Sequence, residues 1–269
     1  MTDIIIMHES LQRIDAALAE RAPDVRAIGW SSDGKLLLDE QPIDANEIRP
    51  RAAWISFDVF AAGCLEAYAR TLSRYDSLEW VQSAHAGLDH PIYKPLLERG
   101  VRLSKSGAQS IPITEYVLAY ALAWFQDMGE RRQAQREKRW QPHRFRELWH
   151  SNWLVVGYGH IGRGVARRAK AFDCHVTVIR RSRSKDEYAD VVAPLGDLGE
   201  HLPQADVVVL ACPDNEETRG LADARFFERM KPGTLLINVA RGSLVDEQAL
   251  LDGLQRQQPA HAVLDVFQT

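Results

Sequence analysis

Apolar residues recur along this chain in two rhythms that take turns. Short unbroken runs such as Ile4-Ile5-Ile6, Trp153-Leu154-Val155-Val156 and Val207-Val208-Val209-Leu210 alternate with stretches where apolar side chains return every third or fourth position. A run apolar at every position predicts a strand buried on both faces, and the slower rhythm predicts a helix lying on the sheet. In the first hundred residues the runs predict strands over 3–8, 25–30, 52–57, 78–82 and 101–103, with helices over 10–21, 64–72 and 90–99. The longest helix is predicted over 110–128. Ser110 can cap it and Pro112 sits in its first turn. Its middle, 116–125, is apolar nearly all round, which predicts burial or an interface. Further strands are predicted over 153–156, 174–179, 191–192, 205–211, 234–238 and 260–266. Helices are predicted after Gly162 and over 224–230 and 247–255. Strands alternating with helices predict an α/β fold with two doubly wound parallel-sheet domains, 1–104 and 105–269.

Composition adds exclusions. The 269 residues are 45% hydrophobic and 26% charged, as in soluble globular proteins, and the net charge of −4 exerts no overall pull toward nucleic acid or anionic membrane. No apolar stretch reaches the ~18 residues of a membrane span, and the opening MTDIIIMHES lacks the regions of a signal peptide. Three isolated cysteines, Cys64, Cys174 and Cys212, argue against a disulfide framework or zinc site and for a cytoplasmic location. One stretch departs from the average: 131–146 holds seven Lys/Arg and one acid, Glu137, around Trp140. Such runs are usually solvated faces, and a basic flap near an anionic ligand is the functional alternative.

The candidate chemistry begins at the end of the 153–156 strand. Gly157, Gly159 and Gly162 follow it in the spacing G-x-G-x-x-G, a helical pattern through Val165, Ala166, Ala169 and Phe172 comes next, and a second strand closes the unit. In that setting the glycines mark a dinucleotide site. Gly157 permits the turn, Gly159 lets backbone approach a pyrophosphate, and Gly162 lets helix and strand pack closely. The N–H groups of His160, Ile161 and Gly162 would face the phosphates at the positive end of the helix. NAD-binding units place an acid about 20 residues past the glycines. Here that place is taken by Arg180, with Arg181, Ser182 and Arg183 after it, and no acid comes before Asp186. Guanidinium and hydroxyl groups suit a 2′-phosphate, so the cofactor expected is NADP(H). Ligands bind doubly wound sheets at the carboxyl ends of strands, where Cys212, Val239, Ala240, Arg241 and Asp265 fall.

Several segments together resemble the D-isomer-specific 2-hydroxyacid dehydrogenase family over nearly the whole chain. They are 212–220 (CPDNEETRG), Met230-Lys231-Pro232-Gly233, Asn238-Val239-Ala240-Arg241-Gly242 and Leu264-Asp265-Val266-Phe267. In the first domain, Trp80-Val81-Gln82-Ser83 and Ala86-Gly87-Leu88-Asp89 are similar to the family's substrate loop, and Thr114-Glu115 to the start of its interdomain helix. Arg180-Arg181-Ser182 resembles the NADPH-using glyoxylate/hydroxypyruvate reductases of that family. The resemblance implies a flavodoxin-like substrate domain, a Rossmann domain, a homodimer, and hydride transfer between NADP(H) and a small 2-oxo acid. It implies that Arg241 binds the substrate carboxylate and polarises the carbonyl, and that the N–H groups of Ala86 and Gly87 hold the carboxylate from the other domain. Asp265 would orient the nicotinamide carboxamide, with Cys212, Pro213, Thr218, Val239 and Ala240 beside the cofactor.

The family's proton donor is a His supported by a Glu. The Glu directly follows the Asp-Val-Phe-x-x segment, here 265–269, which ends the sequence. The expectation is therefore a piece of a longer enzyme, weak or inactive alone, since losing a positioned acid costs about 10²–10⁴-fold. The alternative expectation is a dinucleotide-sensing, corepressor-like binding protein with little turnover.

Overall fold

Each unbroken apolar run becomes a central strand of one of two sheets. The computed structural model describes every residue except Asp89, Gln141, His143 and Thr269. Its chain divides into two units, Met1–Gln109 and Ser110–Thr269.

The first unit contains β1 (Thr2–Met7), β2 (Val25–Trp30), β3 (Leu36–Leu38), β4 (Gln41–Pro42), β5 (Pro50–Ile55), β6 (Trp80–Ser83) and β7 (Arg102–Ser104). Helices α1 (His8–Arg21), α2 (Phe57–Ala61), α3 (Leu65–Leu72) and α4 (Lys94–Glu98) connect them. The sheet runs β4-β3-β2-β1-β5-β6-β7. Four of its pairings are parallel and follow the flavodoxin-like order, in which the chain first winds outward from β1 and then turns back to β5. The doubly wound parallel sheet expected here is present, with one addition at its edge. β3 pairs antiparallel with β2 and with β4, so a hairpin extends the edge. Strands of this length carry no readable periodicity, and the tight turn ahead of them depends on Gly34 at φ +84°. The core gathers Ile5, Ile28, Trp30, Ile55, Tyr68, Leu72 and Val81. Two of its polar aromatics are satisfied, the Trp30 indole donating to Thr71 Oγ1 at 3.1 Å and Tyr68 Oη to the Ile5 carbonyl at 2.8 Å, while the buried Tyr75 hydroxyl has no partner among the described residues.

The second unit opens with α5 (Ser110–Phe125) and α6 (Met128–Arg136). It then builds β8 (Asn152–Val156), α7 (His160–Lys170), β9 (His175–Ile179), β10 (Val191–Ala193), α8 (Leu198–His201), β11 (Val207–Leu210), α9 (Ala224–Arg229), β12 (Leu235–Asn238), α10 (Glu247–Gln255) and β13 (His261–Leu264). All six strands are parallel in the order β10-β9-β8-β11-β12-β13, the Rossmann arrangement with its switch point between β8 and β11. The expected helix over 110–128 ends at Phe125, because Asp127 takes a left-handed conformation (φ 49°) and α6 starts afresh. Much of the apolar character of α5 is absorbed within this unit. Val117, Leu118, Ala121 and Phe125 are buried with Trp153, Val165 and Val176, while Tyr120 stays 44% exposed. One buried carboxylate ties the sheet's lower edge. Asp206 accepts from the Asn152 N–H (2.8 Å), Arg146 (2.7 Å) and Lys231 (2.7 Å). Burial works to raise its pKa, and these donors more than offset it, so the group sits below its ordinary value.

Candidate dinucleotide cleft and strand-end site

The glycine turn is shaped by backbone contact. β8 stops at Val156, and Gly157 turns the chain at φ +95° with its N–H donating to the Ile179 carbonyl (2.9 Å). A Cβ on Gly157 would lie 2.5 Å from the Cys212 nitrogen, and one on Gly162 would lie 2.0 Å from the Gly157 oxygen. Both positions admit only hydrogen. Gly159, which caps α7, differs: nothing lies within 4 Å of the Cβ it lacks. Its missing side chain serves no packing and leaves the start of α7, at His160, Ile161 and Gly162, open to a ligand.

A cleft of about 430 Å³ opens beside this turn, and Gly157, Arg180, Arg181, Ser182, Cys212, Pro213 and Thr218 all line it. Its floor is apolar, from Val156, Ile179 and Leu195. Asn215 and Glu217 of the 212–220 segment line it as well, and so does Tyr158, which no motif marks as a ligand contact. Arg183 lies exposed on the same loop, outside the lining. Cys212 contributes a buried neutral wall, its thiol pushed up to about 11 by burial. Thr218 faces its own loop: Oγ1 donates to the Pro213 carbonyl (2.6 Å) and accepts from the Asn215 N–H (3.0 Å).

The basic end of β9 is ordered by short-range bonds. Arg180 Nη2 donates to the Ser184 carbonyl and, at 2.9 Å, to its hydroxyl, while Cζ lies 5.0 Å from the centre of the Tyr158 ring. Among the described residues, Arg180 Nε is buried with no hydrogen-bond partner. Arg181 stands 3.9 Å from Glu217, with both side chains exposed. The nearest acid in sequence, Asp186, is engaged: its carboxylate accepts from Tyr158 Oη (2.7 Å), Arg163 Nε (3.2 Å) and the Tyr188 N–H (3.1 Å). The bond from Tyr158 is the main cause that holds Asp186 below the usual carboxylate range. Burial, followed by that same bond, pushes the Tyr158 phenol up.

The second group of predicted residues gathers at the ends of β12 and β13. The Asn238 side chain clamps the turn, accepting from the Ala240 N–H (3.0 Å) and donating to the Arg241 carbonyl (2.9 Å). Val239 and Ala240 are buried, so they offer backbone rather than side chain. Arg241 is half-buried, with Nη1 donating to the Ala240 carbonyl at 2.7 Å. A Cβ on Gly242 would lie 1.9 Å from the Phe267 backbone, which brings the 265–267 segment against this turn. Asp265 is exposed, its N–H bonded to the Asn238 carbonyl (3.0 Å), and its charge helps raise Tyr116 after burial and Tyr120.

Ala86 and Gly87 belong to the first unit, in a half-buried loop after β6. Ser83 Oγ anchors the loop by accepting from the His85 N–H (3.1 Å) and bonding Tyr93 Oη (2.8 Å), and the His85 ring stacks on Phe60. Asp89 of that motif lies outside the described residues. The basic run spends part of its charge locally, Arg139 on Glu130 and Glu137 and Arg146 on Asp206, and Trp140 is 95% exposed. Among the described residues no cluster of His, Cys, Asp and Glu could hold a metal ion, and no helix is long and apolar enough to cross a membrane.

Residues 118–269 match the family described as D-isomer specific 2-hydroxyacid dehydrogenase, NAD binding domain. Over 269 residues the chain is 30% identical to a D-3-phosphoglycerate dehydrogenase of Mycobacterium leprae, covering 99% of this chain and 48% of that one. Over 131 residues it is 37% identical to a glyoxylate reductase of Thermococcus gammatolerans, covering 48% and 39%. The crystal structure of a D-isomer specific 2-hydroxyacid dehydrogenase family protein from Aeromonas salmonicida superimposes with a TM-score of 0.79 at 27% identity, covering 100% of this chain and 82% of that one. The chain belongs to the D-isomer specific 2-hydroxyacid dehydrogenase family, as its motifs led one to expect, and it spans less than half the length of the two curated relatives.

Proposed function

We propose that this chain carries the cofactor-binding and substrate-anchoring parts of an NADP(H)-dependent reductase of small 2-oxo acids, with glyoxylate and hydroxypyruvate the favoured substrates. The observation that carries this reading is the cleft where the glycine turn meets Arg180, Arg181 and Ser182. The residues present fit a dinucleotide. Gly159 leaves the start of α7 open, the cleft floor is apolar as an adenine ring requires, and Arg180, which lines the cleft, has a buried Nε with no partner among the described residues. Ser182 and Arg181 supply further donors for a 2′-phosphate.

When bound, the nicotinamide supplies the hydride that reduces the 2-oxo carbon. The chain's own work is positioning and charge. Arg241 binds the substrate carboxylate through its fork of N–H donors and stabilises negative charge developing on the carbonyl oxygen. Substrate binding in the first unit falls to the N–H groups of Ala86 and Gly87, which can donate to a carboxylate, and cofactor binding falls to the second unit. Asp265 would hold the nicotinamide carboxamide through its carboxylate.

Two measurements test this. Titration of the protein with NADPH and NADH should give tighter NADPH binding, and replacing Arg180 and Arg181 with Ala should weaken NADPH far more than NADH. Equal losses would remove the 2′-phosphate assignment. In the full-length protein, Arg241→Ala should abolish NADPH-dependent reduction of glyoxylate and hydroxypyruvate, whereas near-normal turnover would take Arg241 out of the site.

A further inference from the structure

We propose that Tyr158 is a positioning residue for the 2′-phosphate of NADP(H), its ring a platform for Arg180 and its hydroxyl the tether that keeps the Asp186 carboxylate away from the phosphate. This rests on the reading of 180–182 as the 2′-phosphate site. Tyr158 lies between two glycines of the turn, and the turn is locked because Gly157 packs against the backbone of Cys212. Its ring is therefore held at a defined height beside the end of β9. The Arg180 guanidinium lies over that ring, 5.0 Å from its centre, and its Nη2 is bonded to Ser184. A guanidinium held between a ring and a loop has little orientational freedom left to lose on binding an anion. Its Nε is buried and has no hydrogen-bond partner among the described residues, so one donor of this guanidinium is left unsatisfied.

The hydroxyl has a separate task. A free carboxylate near the end of β9 would repel a phosphate and favour a ribose hydroxyl. Asp186 is that carboxylate, and Tyr158 Oη takes its Oδ1 at 2.7 Å while Arg163 Nε takes Oδ2 at 3.2 Å. Arg163 is held in turn by Glu187 (3.0 Å) and by the Tyr188 ring (4.9 Å). Asp186 is absent from the cleft lining, although it follows Ser182 closely in sequence. One side chain thus serves both halves of a discrimination: it presents the cation and retains the anion.

The experiment is a set of equilibrium titrations with NADPH, NADH and 2′,5′-ADP, a probe that carries the 2′-phosphate but no nicotinamide. The proteins are wild type, Tyr158→Phe, Tyr158→Leu, Arg180→Ala and the double variant Tyr158→Leu/Arg180→Ala. Tyr158→Leu should weaken NADPH and 2′,5′-ADP about tenfold and leave NADH nearly unchanged, the scale of a lost cation–π contact. Tyr158→Phe keeps the ring and should lose about threefold, through Asp186 alone. In the Arg180→Ala background, Tyr158→Leu should cost no more than Tyr158→Phe does in wild type, since the platform has nothing left to hold. Equal losses for NADPH and NADH, or an undiminished effect without Arg180, would overturn the role of Tyr158. Tyr158→Phe preserves the packing and decides the tether independently: a selective NADPH loss supports it, and unchanged selectivity overturns it. A wild type that binds NADH as tightly as NADPH would instead overturn the 2′-phosphate reading beneath it.

Discussion

Two loops in this molecule occupy equivalent positions, each following a parallel strand at its carboxyl end, yet they are held by different physics. The turn after β8 is held by backbone against backbone, at Gly157 on Cys212 and at Gly162 on Gly157. The loop after β6 is held by side chains, the Ser83 hydroxyl on Tyr93 and on the His85 N–H, and the His85 ring on Phe60. Backbone contacts of that closeness accept no substituent, so the turn can have one shape only, which suits a cofactor of fixed chemistry. A loop held by hydroxyls and rings can be adjusted by changing those groups, which suits selection among substrates that differ in a side chain.

The comparison can be broken most severely at Gly162. Gly162→Ala should destabilise the second unit by about 3 kcal/mol, measured by denaturant unfolding, because a Cβ 2.0 Å from the Gly157 oxygen forces backbone to move. A variant of wild-type stability would show that the turn is softer than its contacts say. Next is the sheet on which the turn depends. Asp206→Asn should cost about 2 kcal/mol, since a charged acceptor of bonds from Asn152, Arg146 and Lys231 is removed. The pH dependence has a defined sign. The folded pKa of Asp206 is lowered from its ordinary 3.8, so its contribution is present above that value and lost as the pH falls toward the folded one. The acid limb of the unfolding curve should be shallower in Asp206→Asn, and an unchanged limb would contradict the role assigned to this carboxylate.

Gly159→Ala sharpens the contrast. With nothing within 4 Å of the new Cβ, stability should change by less than about 0.5 kcal/mol, while NADPH affinity should fall about tenfold as the phosphate approach is blocked. An unfolded variant, or undiminished binding, would show that the three glycines do not divide the labour in this way. The smallest effect is expected in the side-chain-held loop. Ser83→Ala should cost about 1 kcal/mol in thermal or chemical unfolding, the scale of one buried hydroxyl's bonds. A loss as large as that of Gly162→Ala would erase the distinction between the loops.

Much of this was legible in the linear chain, for identifiable reasons. The central strands announced themselves because a strand covered on both faces must be apolar throughout, as at 207–210. The glycine spacing and Arg180 were legible because steric exclusion and charge are properties of single residues. The β3–β4 hairpin escaped notice since strands of three and two residues carry no period. The break between α5 and α6 escaped because it depends on one left-handed residue, Asp127, whose identity does not demand that conformation. The basic run looked like a uniform patch, but pairs such as Arg146 with Asp206 bring together groups sixty residues apart.

By itself, then, the sequence determined the strand and helix alternation, the position of the phosphate turn and the basic character of the β9 end, all of which follow from local steric and charge preferences. Only the tertiary structure decided that Tyr158 lies under Arg180 and that Asp186 is engaged elsewhere. Those are relations between separate strand ends, and no local preference encodes them. They exist because a parallel sheet gathers the carboxyl ends of distant strands along one edge.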